Sequence, residues 1–174
     1  MLRAIVLAIG VIGAAAAVTA QAGVLPRAQL AAGLKTAGCE LPIEQSITAV
    51  TEASLGGGLS LVEVPCWAAA YNFGSILFVV DARAPAKARL LSLRTWSGGA
   101  LSETYDLTLP QFDPSTRVLR SYHKGRGVGD CGESGQWLWT GSRFKLTGYW
   151  NKPDCDGKVF TRAAKWRVYP PRKP

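Results

Sequence analysis

Four cysteines in a chain of 174 residues with a single histidine constrain the fold more than any other feature. Cys39, Cys66, Cys131 and Cys155 contain no Cys-x-x-Cys pair, and His123 is the lone imidazole. A structural zinc centre therefore lacks ligands, and no metal site is expected. An even number of cysteines in an oxidising compartment pairs instead. Spacing leaves all three connectivities open, but chain order favours Cys39–Cys66 and Cys131–Cys155. Each such loop of about 25 residues would contribute roughly 3 kcal/mol by loop entropy.

The N-terminus supplies that compartment. Arg3 is followed by an apolar or small-residue run over residues 4–18, and Ala20-Gln21-Ala22 fits the small-x-small cleavage rule. Residues 1–22 are expected to be a signal peptide cleaved after Ala22, giving a secreted, periplasmic protein. An apolar run of about fifteen residues falls short of the roughly twenty needed to span a bilayer. No later segment comes closer, so no transmembrane anchor is expected in the mature chain. Nucleic acid is electrostatically acceptable but sits in the wrong compartment, and none is expected as a partner.

The mature chain predicts one mainly β domain, an antiparallel barrel or sandwich-like fold with a short N-terminal helix, stapled by disulfides. Hydrophobic content of 48% with 18% charged residues is globular composition. Residues 23–58 form a helical or irregular start. Pro26 suits a helix opening, Leu30, Leu34 and Ala37 follow at helical spacing, and Gly38 ends the helix. Residues 59–169 read as the β-rich domain and 170–174 as a loose tail. The apolar run at 75–81 has strand length and no polar face, so it is expected to be covered on both sides. Further strands are predicted at 59–64, 88–96, 117–123 and 158–169, with a tight turn at Asp113-Pro114-Ser115-Thr116.

A hairpin is predicted around Gly141-Ser142, with Trp139 facing Phe144 and Trp137 facing Leu146. That register turns both tryptophans inward, so core packing outweighs a carbohydrate-stacking platform. It also sets Cys131 opposite Lys152. Arg143 and Lys145 project from the opposite, polar face.

Several of these residues together resemble a bacterial secreted family. They are Cys66-Trp67 with Ala70-Tyr71-Asn72, the stretch from Lys124 through Arg126-Gly127-Val128-Gly129-Asp130-Cys131-Gly132, and Trp137-x-Trp139-x-Gly141-x-x-Phe144-x-Leu146. The family is known as domain of unknown function 1176. The resemblance runs over roughly residues 60–168 and implies an exported envelope protein, with no catalytic residues to carry over.

Charge separates the function classes. Residues 23–116 carry six basic and eight acidic side chains, a net of −2, whereas residues 117–174 carry thirteen and four, a net of +9. Such a split points to a basic face, with Lys124, Arg126, Arg143, Lys145, Lys165 and Arg167 as candidate contacts for an anionic envelope component or an acidic protein. The glycine-rich loop at 125–132 has the composition of an anion nest. The bland alternative is a tight turn that feeds a disulfide. No Gly-Lys-Ser/Thr closes it, it is not placed like a dinucleotide fingerprint, and no cofactor is expected. The competing class is a small secreted hydrolase using carboxylates near this loop, from among Asp130, Glu133, Asp106 and Glu103; His123 sits beside Lys124 with no aspartate obviously placed to orient it.

Overall fold

The computed structural model describes residues 25–171, so the signal-peptide reading and the last three tail residues fall outside the described residues. The chain begins with helices α1 (Arg27–Ala37) and α2 (Ile43–Thr48). Strands β1 (Thr51–Gly56), β2 (Leu59–Ala68) and β3 (Phe73–Asp81) follow, then β4 (Arg89–Leu90), β5 (Leu93–Ser97), β6 (Ala100–Thr104) and β7 (Asp106–Thr108). The second half holds β8 (Gln111–Asp113), β9 (Val118–Arg120), β10 (His123–Lys124), β11 (Gly132–Trp139), β12 (Phe144–Lys152) and β13 (Arg167–Tyr169). All pairings are antiparallel.

The strands form two main sheets. One runs β1-β2-β3-β4, with β7 also on β3; the other runs β13-β12-β11-β9-β8, with β10 also on β11; β5–β6 is a separate hairpin. Neither sheet closes, so the fold is sandwich-like and not a barrel. The predicted helix stands at Arg27–Ala37, with Pro26 at its N-cap and Gly38 as its left-handed C-cap. A second short helix, α2, follows it.

Strand β3 explains the layering. Residues Gly74 to Val80 are all buried. Ile76, Phe78 and Val80 point towards α1 and join Leu30, Leu34, Val62, Val64 and Cys66 in one core. Leu77 and Val79 point the other way and meet Leu119, Trp137, Trp139, Leu146 and Tyr149 of the second sheet. Full burial contributes about 1.5–3 kcal/mol per large apolar side chain. The five buried apolar residues of β3 therefore outweigh two disulfides at roughly 3 kcal/mol each. The bridges are Cys39–Cys66, tying the end of α1 to β2, and Cys131–Cys155.

Three local expectations are corrected. The hairpin register holds through Trp139/Phe144 and Trp137/Leu146, but a bulge beside Gln136 then shifts it by one, so Gly132 and not Cys131 opposes Lys152. The alternation at 158–169 yields only the short strand β13; residues 164–166 form a 3-10 turn, and residues 153–163 carry no strand. Those residues bond outside any ladder: Gly157 N donates to Asp130, Lys158 O accepts from Lys152, and Arg162 donates to Ser134. The run at 88–96 divides into β4 and β5. In addition, strand β1 lies within the segment read as helical or irregular, as a largely exposed edge strand whose one buried residue is Leu55.

Gly33 is where the helix layer touches β3 most closely. A Cβ there would sit 2.2 Å from Phe78 Cζ, and Phe78 is itself buried. Gly33→Ala is expected to destabilise the protein by about 1–3 kcal/mol through overpacking. Urea unfolding checks it; an unchanged midpoint would show that α1 rides loosely on the sheet.

Candidate functional site

The glycine-rich loop is built as a lock. The Arg126 guanidinium donates to both oxygens of Asp130, Nε at 2.8 Å and Nη2 at 2.6 Å, and Nη2 also reaches Cys155 O at 3.0 Å. Asp130 accepts a further bond from Gly157 N at 2.6 Å. Lys152 is buried with three acceptors, Asp130 O, Asp156 Oδ1 and Lys158 O. Asn72 pairs with Lys124 through both of that residue's backbone polar groups. Gly132 has φ of 133°, and a Cβ there would lie 2.0 Å from His123 O, so this position accepts only glycine. Backbone N–H groups of Lys124, Gly125 and Gly129 all donate inside the protein. These three donors and the loop's arginine are thus engaged within the protein.

The six candidate cations therefore separate into three places. Lys124 and Arg126 belong to the loop. Lys165 lies over the Trp166 ring at 4.7 Å and Arg167 over Trp150 at 5.5 Å, on the C-terminal stretch. Arg143 and Lys145 line a groove of about 350 Å³ between the tip of the β11–β12 hairpin and the β5–β6 hairpin.

That groove is also lined by Arg89 and Arg94, which come from the half of the chain with net −2. Leu91, Leu93, Phe144 and Leu146 line it as well, giving apolar surface between cations. Trp137 Nε1 donates to Arg94 O at 2.6 Å and anchors one wall. Arg89 reaches Ser142 O at 3.2 Å across the groove mouth. Among the described residues no carboxylate forms an ion pair with any of the four cations. Glu103 lines the groove too, and its carboxylate accepts from Ser92 Oγ at 2.7 Å. Arg89 and Arg94 were missing from the sequence reading because charge bookkeeping along the chain does not register cations that meet only after folding.

A second cavity, also of about 350 Å³, gathers Glu103, Asp106, Glu133, His123 and Tyr149. His123 and Glu133 are opposed on β10 and β11. Each carboxylate already has a donor: Asp106 accepts from Trp67 Nε1 at 2.7 Å and Thr104 Oγ1 at 2.9 Å, and Glu133 accepts from Tyr149 OH at 2.8 Å. Burial and the Glu133 charge push the Tyr149 phenol well above its usual range. His123 Nδ1 lies 3.1 Å from Thr108 Oγ1. One potential cation-ligating group, Asp130 with Cys131 and Cys155, has its two sulfurs bound to each other, which leaves no thiolate for a metal.

Fold and site together define a disulfide-bonded, mainly antiparallel β protein with one helical layer and a cation-lined groove. The chain matches the family described as protein of unknown function (DUF1176) over residues 6–170 and belongs to it. It is 32% identical over 125 residues to "Uncharacterized protein YpfG" of Escherichia coli (strain K12), a match that covers 71% of this chain and 35% of that protein. The chain thus spans about a third of the length of this relative. No solved structure matches it. The disulfides suggest a location outside the cytoplasm. Among the described residues no helix is long and apolar enough to cross a membrane.

The lock gives a pH signature. The Arg126 guanidinium, helped by Gly157 N–H, holds the Asp130 carboxyl well below the ordinary carboxylate value. A depressed carboxylate stabilises the fold above its unfolded value of about 3.9, and that contribution is lost as pH falls towards its folded value. Asp130→Asn is expected to lower stability at pH 7 and to flatten the loss of stability between about pH 5 and pH 2. Thermal unfolding followed by circular dichroism across that range measures it; parallel pH profiles for the two proteins would discard the role given to Asp130.

Proposed function

We propose that the protein is exported to the periplasm and acts there as a non-catalytic binding protein, holding an anionic envelope component or an acidic protein in the groove lined by Arg89, Arg94, Arg143 and Lys145. The observation that carries this reading is four cations without ion pairs around a partly apolar groove. Four cations against one carboxylate among the groove's described residues, Glu103, leave an excess of positive charge at a concave surface, which raises the local concentration of anions and steers their approach. The two disulfides support export, as does the leader-like sequence of residues 1–22.

A hydrolase is the second reading, favoured by the cavity that brings Glu103, Asp106 and Glu133 together beside His123. It ranks lower because donors from the protein itself already occupy all three carboxylates. Turnover of peptidoglycan by the purified chain, abolished in Glu133→Gln, would reverse that ranking.

Arg143→Glu with Lys145→Glu tests the first reading. Exposed ion pairs contribute roughly 0.2–1 kcal/mol each and reversal adds repulsion, so affinity for anionic vesicles, peptidoglycan or envelope extract is expected to fall about tenfold. The fold should hold, because exposed substitutions usually cost under about 0.5 kcal/mol. Wild-type binding should itself weaken between 0.1 M and 1 M salt, as the Debye length shrinks from about 10 Å to about 3 Å. Binding that ignores both salt and the double reversal would eliminate the groove as the docking site.

A further inference from the structure

The second sheet has a face that does not meet the core. Along β12, Tyr149 points into the sandwich and Trp150 points away from it. Trp150 is nonetheless only 4% exposed. Its neighbours across the ladder are Ser134 on β11 and Arg167 on β13. Two guanidinium groups lie against its ring, Arg167 with Cζ 5.5 Å and Arg162 with Cζ 6.0 Å from the ring centroid. Arg162 comes from the non-strand stretch and is fixed by its Nε bond to Ser134 Oγ at 3.1 Å. A third arginine, Arg120, stands on the same face, because its neighbour Leu119 points into the core opposite Trp137. Arg120 is close enough that its charge, together with burial, lowers the proton affinity of Arg162.

The group has no acidic ion-pair partner among the described residues. The acidic residues of the C-terminal half that form ion pairs do so elsewhere, Asp130 with Arg126 and Asp156 with Lys152, and Glu133 accepts from Tyr149. Among the described residues no carboxylate forms an ion pair with Arg120, Arg162 or Arg167. Trp150 Nε1 is buried and has no acceptor among the described residues. The face therefore presents cationic donors in excess, three guanidinium groups, beside a buried indole N–H that lacks an acceptor. The complement of such a set is a compact ligand with several acceptor oxygens and more than one negative charge. A carboxylate offers two oxygens and one charge. A phosphate group offers three or four oxygens and a charge near −2, and guanidinium forks fit it in bidentate fashion.

We propose that Arg120, Arg162 and Arg167 bind a phosphate-type oxyanion beside Trp150, at a site separate from the Arg143 and Lys145 groove. The cation–π contacts hold two of the arginines in place before the anion arrives, which lowers the ordering cost of binding. The phosphate is either free in solution or carried as a terminal monoester on a lipid headgroup.

The experiment uses the ¹⁵N-labelled mature chain, with the Trp150 indole N–H resonance assigned by comparison with Trp150→Phe. Inorganic phosphate is titrated against sodium chloride at matched ionic strength, and vesicles containing phosphatidic acid, a phosphomonoester, are added in a parallel arm beside phosphatidylcholine vesicles. A saturable shift of that resonance with phosphate and not with chloride is expected for the free ligand. Selective broadening by the phosphatidic acid vesicles identifies a headgroup as the source. Arg120→Gln with Arg162→Gln should weaken the response about tenfold or more, since each lost bond to a charged group is large on this scale. Lys35→Gln, on the helix layer, should leave it unchanged. If the double variant loses its dispersed spectrum, Arg167→Gln, an exposed position, is read in the same titration, and unchanged affinity there overturns the assignment. No response to either probe, or an equal response to chloride, overturns it as well.

Discussion

A strand without a polar face must be covered twice, and β3 is such a strand. From Gly74 to Val80 it exposes nothing to water, so the protein needs one layer above it and another below. Helix α1 provides the first and the sheet containing β11 and β12 provides the second. The remaining architecture follows from these two demands. Cys39–Cys66 fixes the end of the helix to the strand next to β3, and Gly33 brings the helix down onto Phe78. Trp137 and Trp139 fill the opposite space, and the Trp137 indole reaches across to Arg94, setting the wall of the groove.

The parts of this that could be read from residues alone are the ones governed by local chemistry. The burial of residues 75–80, the inward tryptophans, the turn at Asp113 and the hairpin at Gly141-Ser142 all depend on apolar patterning or turn preference, which act over a few residues. Asp113 itself accepts from Ser115 and Thr116 through backbone and side chain, and these bonds hold its carboxyl down to about 2. The bulge beside Gln136 carried no such signature, and it moved the partner of Lys152 by one residue. The alternation at 158–169 misled for a different reason. Residues 157, 158 and 162 spend their polar groups on Asp130, Lys152 and Ser134, a long-range competition that periodicity does not register. Strand β1 was hidden because an edge strand with one buried residue has almost no hydrophobic pattern to detect.

The same distinction separates the charges. Arg126 and Asp130 stand four residues apart and neutralise each other within one loop. Arg89 and Arg94 join Arg143 and Lys145 only because two hairpins from different halves of the chain face one another. In the C-terminal half, buried charge is satisfied with care: Lys152 has three acceptors and Asp130 several donors. The cations left over are at the surface, where desolvation is small and leaving a charge unpaired costs little. Fold stability and availability for an anion are thus carried by different residues, so the surface cations can vary without endangering the core.

The two bridges have a consequence for how the chain acquires its shape. Cys39 and Cys66 are 27 residues apart, Cys131 and Cys155 are 24 apart, and neither loop encloses a cysteine of the other. In a chain that emerges N-terminus first, Cys39 and Cys66 both appear before Cys131, so once their bridge has closed the remaining partner for Cys131 is Cys155. An oxidant that joins consecutive thiols as they emerge therefore produces the native linkage without any reshuffling.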